Sequence, residues 1–293
     1  MHKAGFVNIV GNPNVGKSTL MNNLVGERIS IITSKAQTTR HRIMGIVNGD
    51  DFQIVYSDTP GVLTPNYKLQ ETMLSFSQSA LVDADILLYV TDTVETVDKH
   101  QQYIQKVQAL DIPILVVINK IDLSNQESLE KQVEAMQAIF PKAEIFPISA
   151  LRKFNIQNLL NRIQALLPES PPYFDKDALT DKPARFFVTE IIREKILLYY
   201  QKEIPYATEV VVEAFLEDNN MVKINALIIV ERDTQKGIII GHGGKALKKV
   251  GTEARHDIES FLQKKVFLQL FVKVDKDWRN KENQLKTFGY IQS

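Results

Sequence analysis

One short segment constrains this chain more than any other: Gly11-Asn-Pro-Asn-Val-Gly-Lys-Ser18, which matches the spacing G-x-x-x-x-G-K-[ST]. The apolar run Phe6–Val10 before it predicts a strand, and Lys17–Val25 after it predicts a helix. Glycines let such a loop turn its backbone N–H groups toward phosphate oxygens, and the positive end of the following helix attracts the same anion. The segment therefore predicts a strand–loop–helix unit that holds a polyphosphate.

The rest of the first half alternates strand-like and helical runs, which is typical of an α/β domain with a mostly parallel sheet and helices on both faces. The longest apolar run, Ile112–Ile118, is far too short to span a membrane, for which about 20 residues are needed. The predicted strands are Phe6–Val10, Phe52–Tyr56, Ile86–Val90, Ile112–Ile118 and Ile145–Ile148, and Glu127–Phe140 has helical spacing.

A proline-rich segment separates this half from a second one with a different order of elements. Residues 168–183 contain four prolines, which predicts a semi-rigid linker between domains at 1–167 and 184–293. The second half predicts an α+β domain: a helix, a hairpin, a glycine-rich loop, a helix with a buried stripe and a last strand. The first helix is Arg185–Tyr200, the hairpin is Glu209–Leu216 with Val222–Val230, the loop is Gly241–Gly244 and the last strand is Val266–Val274. The second helix starts at Lys245, and its predicted buried stripe is Leu247, Val250, Ala254, Ile258 and Phe261.

Composition excludes cysteine chemistry, and the first residues show no targeting segment. The chain has no cysteine, so it forms no disulfide and has no thiol nucleophile or thiolate metal site. It begins with a polar and small-residue segment rather than a signal peptide, and we expect an intracellular protein without a transmembrane segment.

Polar motifs at two further strand ends predict the metal and base contacts of a nucleotide. Asp58-Thr-Pro-Gly61 follows a predicted strand, where Asp58 can hold Mg²⁺ through water and the Gly61 N–H can meet the γ-phosphate. Asn119-Lys-Ile-Asp122 follows the most apolar strand, and the Asp122 carboxylate can accept the N1–H and exocyclic N–H₂ of guanine, which adenine lacks. A backbone N–H at Ser149-Ala150 can reach guanine O6. Because ligands of open α/β sheets bind at the carboxyl ends of strands, these motifs together predict a guanine nucleotide site.

These motifs resemble those of the translation-factor class of P-loop GTPases. The resemblance implies that the loop at residues 35–42 supplies a threonine ligand to Mg²⁺ in the triphosphate state. By position we favour Thr39, and Thr38 remains the alternative. Ser18 is expected to be a further Mg²⁺ ligand.

The water-orienting glutamine that many GTPases carry after the D-x-x-G motif is replaced here by Val62. A valine side chain cannot orient water, so we expect slow hydrolysis assisted by another element. One candidate is a K⁺ ion held by Asn14; the alternative is that Asn14 only shapes the loop.

The glycine-rich loop of the second half, Gly241-His-Gly-Gly244, stands in the element order α-β-β-α-α-β. That order is typical of a type II KH domain, a module that clamps about four nucleotides of single-stranded RNA along a G-x-x-G loop. Between Gln235 and Gly251 there are four lysines and no acid. Three of these lysines are therefore expected to contact phosphates beside the loop: Lys245, Lys248 and Lys249.

The first half resembles the translation-factor class of P-loop GTPases, and the whole chain resembles the Era family of bacterial ribosome-assembly GTPases. The segments that carry the family resemblance are Gly11–Thr19, Lys35–Arg42, Asp58–Gly61, Asn119–Asp122, and Ile239–Lys245 with Gly251–Arg255. One departure is His242, where the family commonly has lysine. Since histidine carries less charge at neutral pH, we expect RNA affinity to be weaker or pH-dependent.

The resemblance implies GTP/GDP and Mg²⁺ as cofactors, with K⁺ as a candidate. It implies binding of the 3′ end of 16S rRNA and the 30S subunit, no DNA partner, and a cytoplasmic location with peripheral association at the inner membrane. The expected catalytic residues are Lys17, Thr39, Gly61 and Asn14; the expected metal ligands are Ser18, Thr39 and Asp58. The expected nucleotide contacts are Gly11, Asn12, Pro13, Asn14, Val15, Gly16, Lys17, Ser18, Thr19, Asp58, Thr59, Pro60, Gly61, Val62, Asn119, Lys120, Ile121, Asp122, Ser149 and Ala150. The expected RNA contacts are Gly241, His242, Gly243, Gly244, Lys245, Lys248 and Lys249.

Two other classes of protein remain open from the residues alone. One is a nucleotide switch whose second domain binds protein rather than RNA. The other is a metabolic P-loop kinase or ATPase, against which Asn119–Asp122 argues.

Overall fold

The structure is a computed structural model that describes residues 1–94 and 101–291. The chain divides into two compact units, residues 1–66 with 70–181 and residues 67–69 with 182–293. The sequence places the first domain's end at residue 167, whereas the structure assigns the segment up to Asp181 to the first unit.

The described part of the first unit has a six-stranded sheet flanked by helices. The strands are β1 (Lys3–Gly11), β2 (Ile43–Asn48), β3 (Phe52–Asp58), β4 (Ile86–Asp92), β5 (Ile114–Asn119) and β6 (Glu144–Pro147). The helices are α1 (Lys17–Val25), α2 (Lys68–Ser79), α3 (Gln101–Gln108), α4 (Gln126–Ile139) and α5 (Ile156–Leu166). The sheet order is β2-β3-β1-β4-β5-β6, and every pair is parallel except β2 with β3. The α/β fold is confirmed.

This topology places the predicted motifs at one edge of the sheet. The parallel strands β1, β3, β4 and β5 end at Gly11, Asp58, Asp92 and Asn119. The strands themselves are apolar on both faces because helices cover both sides, and all seven residues of β4 are buried.

Strand β2 is the one strand of the sheet that the sequence analysis does not identify. It pairs antiparallel to β3 with Ile43 opposite Asp58. Only Ile43, Gly45 and Ile46 of its six residues are buried, so its apolar pattern is short and irregular. Its position matters for the site, because the loop that contains Thr39 leads directly into it and is thereby brought to the end of β3.

The proline-rich segment packs along the first unit as a strap rather than as a free linker. Pro168 O accepts the Ala4 N–H at 3.1 Å, and Leu179 O accepts the Ile46 N–H at 2.8 Å. Between these two points, Phe174 O accepts a hydrogen bond of 2.8 Å from Gln53 Nε2, and Gln53 is fully buried. Composition predicts a linker here, because a proline-rich segment has no strand or helix periodicity. Without such a pattern, the sequence gives no sign that the segment packs on the first unit.

The second unit has three strands and four helices within its described residues. The elements are α6 (Ala184–Tyr199), β7 (Glu209–Glu217), β8 (Met221–Val230), α7 (Asp233–Ile240), α8 (Lys245–Leu262), β9 (Lys265–Val274) and α9 (Glu282–Thr287). Strand β8 lies in the centre, antiparallel to β7 and parallel to β9. The order α-β-β-α-α-β from α6 to β9 is the predicted one; α9 was not predicted.

The core of the second unit lies between the helices and one face of this sheet. Alternate residues of β8, including Ile224, Ala226 and Ile228, are fully buried there. From α8, Val250, Ala254 and Ile258 join the core as predicted, and Leu247 packs against its edge. Phe261 does not: it lies in the last turn of α8, is 42% exposed and contacts the ring of Phe187.

Among the helices of residues 1–94 and 101–291, none combines the length and apolar character that a membrane crossing requires.

Candidate functional site

The glycines of the phosphate loop are required by close backbone approaches. Gly11 has φ 142°, and a Cβ there would lie 2.0 Å from Val90 O in the neighbouring strand β4. Gly16 has φ 94°, and a Cβ there would lie 2.2 Å from Asn119 Nδ2. Side chains at either position would therefore force the loop away from the two strands that support it. The loop keeps its curled form because both residues are glycine.

Lys17 begins α1 and is held over this loop. It is only 6% exposed, and its Nζ donates to Gly11 O at 3.0 Å and to Asn12 O at 2.7 Å. The ammonium group thus lies at the mouth of the loop, beside the positive end of the helix. Both features favour a bound anion at this point.

The three predicted metal ligands converge at the end of β3. Ser18 Oγ donates to Asp58 Oδ2 at 2.7 Å, Thr39 Oγ1 lies 2.9 Å from Ser18 Oγ, and Thr39 Oγ1 donates to Asp58 Oδ2 at 3.3 Å. The hydroxyl of Thr38, the alternative, instead donates to Lys35 O at 2.6 Å and lies 2.6 Å from Thr33 Oγ1. The geometry favours Thr39.

The Asp58 carboxylate has the burial and the unpartnered oxygen expected of a cation ligand. It is fully buried, and its Oδ1 has no hydrogen-bond partner among the described residues. Burial raises the pKa of this carboxyl, although the Lys17 ammonium and hydrogen bonds from hydroxyl side chains oppose that rise. A hard divalent cation that takes oxygen ligands would satisfy the unpartnered oxygen.

No group of three or more His, Asp or Glu side chains that could hold a metal occurs within the described ranges. The side chains that converge on Asp58 are the hydroxyls of Ser18 and Thr39, so a cation there would take hydroxyl, water and phosphate oxygens as its other ligands. Mg²⁺ is commonly held in this way, through few carboxylates and the phosphates of its substrate. The residues present fit Mg²⁺.

Gly61 and Val62 occupy different environments although they are neighbours. A Cβ on Gly61 would lie 2.6 Å from Pro13 Cα, so this loop passes directly against the phosphate loop. Val62 is 3% exposed and its side chain packs into the core, while its N–H donates to Gly11 O at 3.1 Å. Val62 therefore supports the loop through its backbone, and its side chain does not face the nucleotide cavity.

Asn119 connects the segments around the predicted base position. Its Nδ2 donates to Val15 O at 2.9 Å, and its Oδ1 accepts the Ala150 N–H at 2.9 Å. Since Asn119 is 2% exposed, its function here is to hold the phosphate loop and the loop after β6 in a fixed arrangement. The Ala150 N–H therefore already has an acceptor. Its predicted hydrogen bond to guanine O6 would have to share this N–H with Asn119.

Asp122 is exposed to the cavity and its carboxylate is oriented by a neighbour. Ser149 Oγ donates to Asp122 Oδ1 at 2.5 Å and accepts the Arg152 N–H at 3.1 Å. Ser149 itself is 1% exposed, so it acts on the carboxylate rather than on a ligand. Hydrogen-bond donors on a base can therefore meet an acceptor that is already positioned.

Lys120 has a partner that the sequence analysis missed. Its Nζ forms a 2.6 Å ion pair with Asp92 and also donates to Asn14 O at 2.5 Å. Lys120 has φ 62°, a left-handed conformation that is uncommon for lysine. Asp92 stands at the end of β4, and that strand-end position was the only signal for it.

One cavity of about 450 Å³ joins the phosphate end to the base end. The predicted residues that line it are Pro13, Asn14, Gly16, Lys17, Ser18, Thr19, Thr39, Gly61, Asn119, Lys120, Asp122 and Ala150, and Thr38, the alternative to Thr39, lines it as well. The remaining predicted nucleotide contacts do not line it: Gly11, Asn12, Val15, Asp58, Thr59, Pro60, Val62, Ile121 and Ser149. Lining residues that the sequence analysis did not identify include Ile32, Lys35, Gln37, Leu123 and Leu151.

The second candidate site is the loop between α7 and α8. Gly241, Gly243 and Gly244 have φ of 70°, 57° and 74°, which glycine adopts without strain. A Cβ on Gly241 would also lie 2.6 Å from the Ala246 Cβ, so the loop turns closely onto α8. His242 and Gly243 are exposed at the tip, where a nucleic-acid backbone can approach.

The three predicted RNA-contacting lysines differ in their surroundings. Lys245 and Lys248 are exposed on the first turns of α8. Lys249 is also exposed, but its Nζ lies 4.1 Å from the centre of the Tyr199 ring. This cation–π contact fixes the Lys249 side chain against α6, so Lys245 and Lys248 are freer to follow a phosphate.

Comparison with protein families assigns each half of the chain. Residues 6–120 match the family described as 50S ribosome-binding GTPase, and residues 203–279 match the KH domain family. These matches confirm the predicted P-loop GTPase domain and KH domain.

Curated relatives extend the similarity over the whole chain. The chain is 44% identical to GTPase Era of Staphylococcus haemolyticus, over 99% of this chain and 98% of that protein. It is 43% identical to GTPase Era of Staphylococcus epidermidis with the same coverage.

Two solved structures of Era have the same fold. One is Era in complex with MgGDPNP and nucleotides 1506–1542 of 16S ribosomal RNA, with a TM-score of 0.94 and 38% identity over 99% of each chain. The other is an Aquifex aeolicus Era variant bound to GDP·AlF4⁻, also with a TM-score of 0.94 and 38% identity, over 98% of this chain and 99% of that one.

Proposed function

The chain belongs to the Era family of GTPases, and we propose that it hydrolyses GTP in the cavity described above and binds the 3′ end of 16S rRNA through its KH domain. In doing so it would assist maturation of the 30S ribosomal subunit. The observation that carries the proposal is one cavity with the Lys17 loop at one end and the oriented Asp122 carboxylate at the other. The kinase or ATPase alternative is set aside by the family assignment.

The reaction is attack of water on the γ-phosphate of GTP, which gives GDP and phosphate. Lys17 and the N–H groups of the loop would hold the phosphates, and the Gly61 N–H would meet the γ-phosphate. When bound, Mg²⁺ would neutralise charge on the β- and γ-phosphates, held by Ser18, Thr39 and the Asp58 carboxylate. The Thr39 hydroxyl lies beside Ser18 and Asp58. A contact of Thr39 with Mg²⁺ would therefore couple the conformation of its loop to the presence of the γ-phosphate.

Hydrolysis should be slow without a further electrostatic element. The Val62 side chain is packed in the core, so it cannot orient the attacking water. Asn14 lines the cavity with an exposed side chain and φ 66°, a backbone form that asparagine tolerates better than most residues. We propose that Asn14 holds K⁺ against the phosphates, where the cation would stabilise charge in the transition state.

Turnover is expected to be about 10-fold or more faster in K⁺ than in Na⁺ at equal ionic strength, because an added cation acts as an arginine finger does. Replacing Asn14 by Ala should remove this difference and leave the slow rate in Na⁺ unchanged. Phosphate release measured in matched KCl and NaCl buffers checks both points. Equal rates in the two salts for the unmodified chain would remove K⁺ from the mechanism.

The proposed RNA site is the Gly241–Gly244 loop with the lysines of α8. What supports it is the loop geometry, the exposed cations of α8, and the KH family match over residues 203–279. RNA rather than protein is the partner that such a loop fits, because exposed glycines let a phosphodiester backbone approach closely.

Replacing His242 and Gly243 by Asp is expected to lower affinity for single-stranded RNA by at least about 10-fold, since two carboxylates would face the phosphates. The matched variant His242→Lys should instead strengthen binding a few-fold at pH 7.5. Fluorescence anisotropy at fixed salt measures both, with GTP affinity as the folding control. An aspartate variant that binds RNA like the unmodified chain would move the site away from this loop.

We propose a cytoplasmic location for this function, which rests on the family resemblance. Peripheral association at the cytoplasmic face of the cell membrane is a proposal that rests on the family resemblance alone.

A further inference from the structure

The KH sheet has a second face that does not contribute to the core. Along β9 the residues alternate: Leu268, Leu270 and Val272 pack toward the core, and the residues between them are exposed. We call this exposed side the outer sheet face. From β9 and its neighbour β8 it contains Lys265, Phe267, Gln269, Phe271, Lys273, Lys223, Asn225 and Leu227.

Two phenylalanines on this face are unusually open for apolar side chains. Phe267 is 50% exposed and Phe271 is 49% exposed. They lie four residues apart on the edge strand, about 13 Å at 3.3 Å per residue. Strand register places Phe267 beside Lys223 and Phe271 beside Leu227, with the amides of Gln269 and Asn225 side by side between these pairs.

The charged residues on the outer sheet face are mainly cationic. Within residues 1–94 and 101–291, Lys223, Lys265 and Lys273 take part in no ion pair. Two acids whose charges interact with these lysines are Asp218 and Glu259. The pKa of the Asp218 carboxyl is lowered chiefly by hydrogen bonds from backbone N–H groups and more weakly by Lys223. The pKa of the Glu259 carboxyl is lowered chiefly by the Val266 N–H and more weakly by Lys265. Glu217 is paired with Lys264, and Glu213 is exposed at the bulge of β7.

We propose that the outer sheet face binds a second stretch of single-stranded RNA, with bases stacked on Phe267 and Phe271 and phosphates near Lys223, Lys265 and Lys273. Exposed aromatic rings interleaved with lysines and amides fit single-stranded nucleic acid, since every base has a face to stack and each nucleotide carries one negative charge. A neutral apolar partner would leave three cations without counter-charge.

Packing of α8 on β9 places the second stretch within reach of the first. Helix α8 begins at the Gly241–Gly244 loop and lies against β9, where a Cβ on Gly251 would be 3.3 Å from Leu270 Cδ1. Strand β9 is at the edge of the sheet, so it borders both the helical side and the outer sheet face. A strand clamped at the loop could continue around this edge. The inference rests on the proposed RNA-binding function of the KH domain and extends it to a longer RNA.

Its test compares two lengths of unstructured RNA on the full chain. The variant F267A/F271A is expected to bind an RNA of about 20 nucleotides roughly 30-fold more weakly, because stacking contributes strongly for each base. Its affinity for an RNA of about five nucleotides, which fills only the loop, should not change. Phe261→Ala is the matched control: Phe261 is a 42% exposed phenylalanine on α8, and its loss should leave both affinities unchanged.

Two further variants distinguish stacking from simple apolar contact. F267Y/F271Y should bind the long RNA like the unmodified chain, whereas F267L/F271L should lose affinity almost as F267A/F271A does. The inference is overturned if the alanine variant retains full affinity for the long RNA, or if the leucine variant does; the face would then serve another partner, such as a protein. Failure of the loop itself is a separate result, seen when the His242 and Gly243 variant binds the short RNA normally.

Discussion

The variant Asp122→Asn is expected to bind GTP about 100-fold to 10,000-fold more weakly than the unmodified chain. The carboxylate would accept two hydrogen bonds from guanine, and charge-assisted bonds contribute about 1.5–3 kcal/mol each. An amide at this position presents a donor to the base where the carboxylate presents an acceptor. Ser149, which now donates to Asp122 Oδ1 at 2.5 Å, could still orient the new side chain, so the loss would come from recognition rather than from loop collapse.

The same variant should gain affinity for xanthosine triphosphate, which has a carbonyl where guanine has its exocyclic amine. Competition of GTP and of XTP with a fluorescent nucleotide measures both affinities, in the unmodified chain and in Asp122→Asn. Ser149→Ala is a suitable companion variant, because it removes the hydrogen bond that orients Asp122 and should weaken GTP binding without creating XTP binding. Unchanged GTP affinity in Asp122→Asn would show that this carboxylate does not read the base.

Lys17→Ala is expected to reduce the rate of GTP hydrolysis by about 100-fold to 1,000-fold, the effect typical of removing one preorganised donor from a charged transition state. The lysine is buried over the loop, with its ammonium held by Gly11 O and Asn12 O. Among the described residues, the other lysines that line the cavity are Lys35 and Lys120, and Lys120 is paired with Asp92 at the base end. Ground-state GTP affinity should also fall, since the ammonium would contact the same phosphates before the reaction.

Single-turnover hydrolysis at saturating GTP and Mg²⁺ separates the loss of rate from the loss of affinity. Lys131→Ala serves as the control, because Lys131 lies on the surface of α4 and pairs with Glu127 one turn away. Its rate should equal that of the unmodified chain. A Lys17 variant that hydrolyses GTP at the normal rate would contradict the assignment of the phosphate site.

Local sequence patterns were enough for the elements that carry the nucleotide motifs. Helix α1 occupies the predicted residues, Lys17–Val25, because a glycine loop fixes its start and Gly26 its end. The motif spacing also predicted that Ser18 and Asp58 would meet, since the strands that precede them are parallel neighbours.

Other features depend on contacts between distant segments, which no local pattern encodes. Position in the loop favours Thr39 over Thr38 without excluding Thr38, and the pairing of β2 with β3 brings Thr39 to Asp58. Val62 directly follows the Asp58–Gly61 motif and was predicted to contact the nucleotide, but its side chain packs in the hydrophobic core. The strap from Pro168 to Asp181 depends on single partners such as Gln53, which lies more than a hundred residues earlier.

The most direct test of this account is calorimetric titration of the unmodified chain with GTP, GDP and ATP in Mg²⁺ buffer. The account predicts that GTP and GDP bind at one site per chain and that ATP gives no measurable heat at the same concentrations. Binding of ATP as tight as that of GTP, or no heat with either guanine nucleotide, would contradict it.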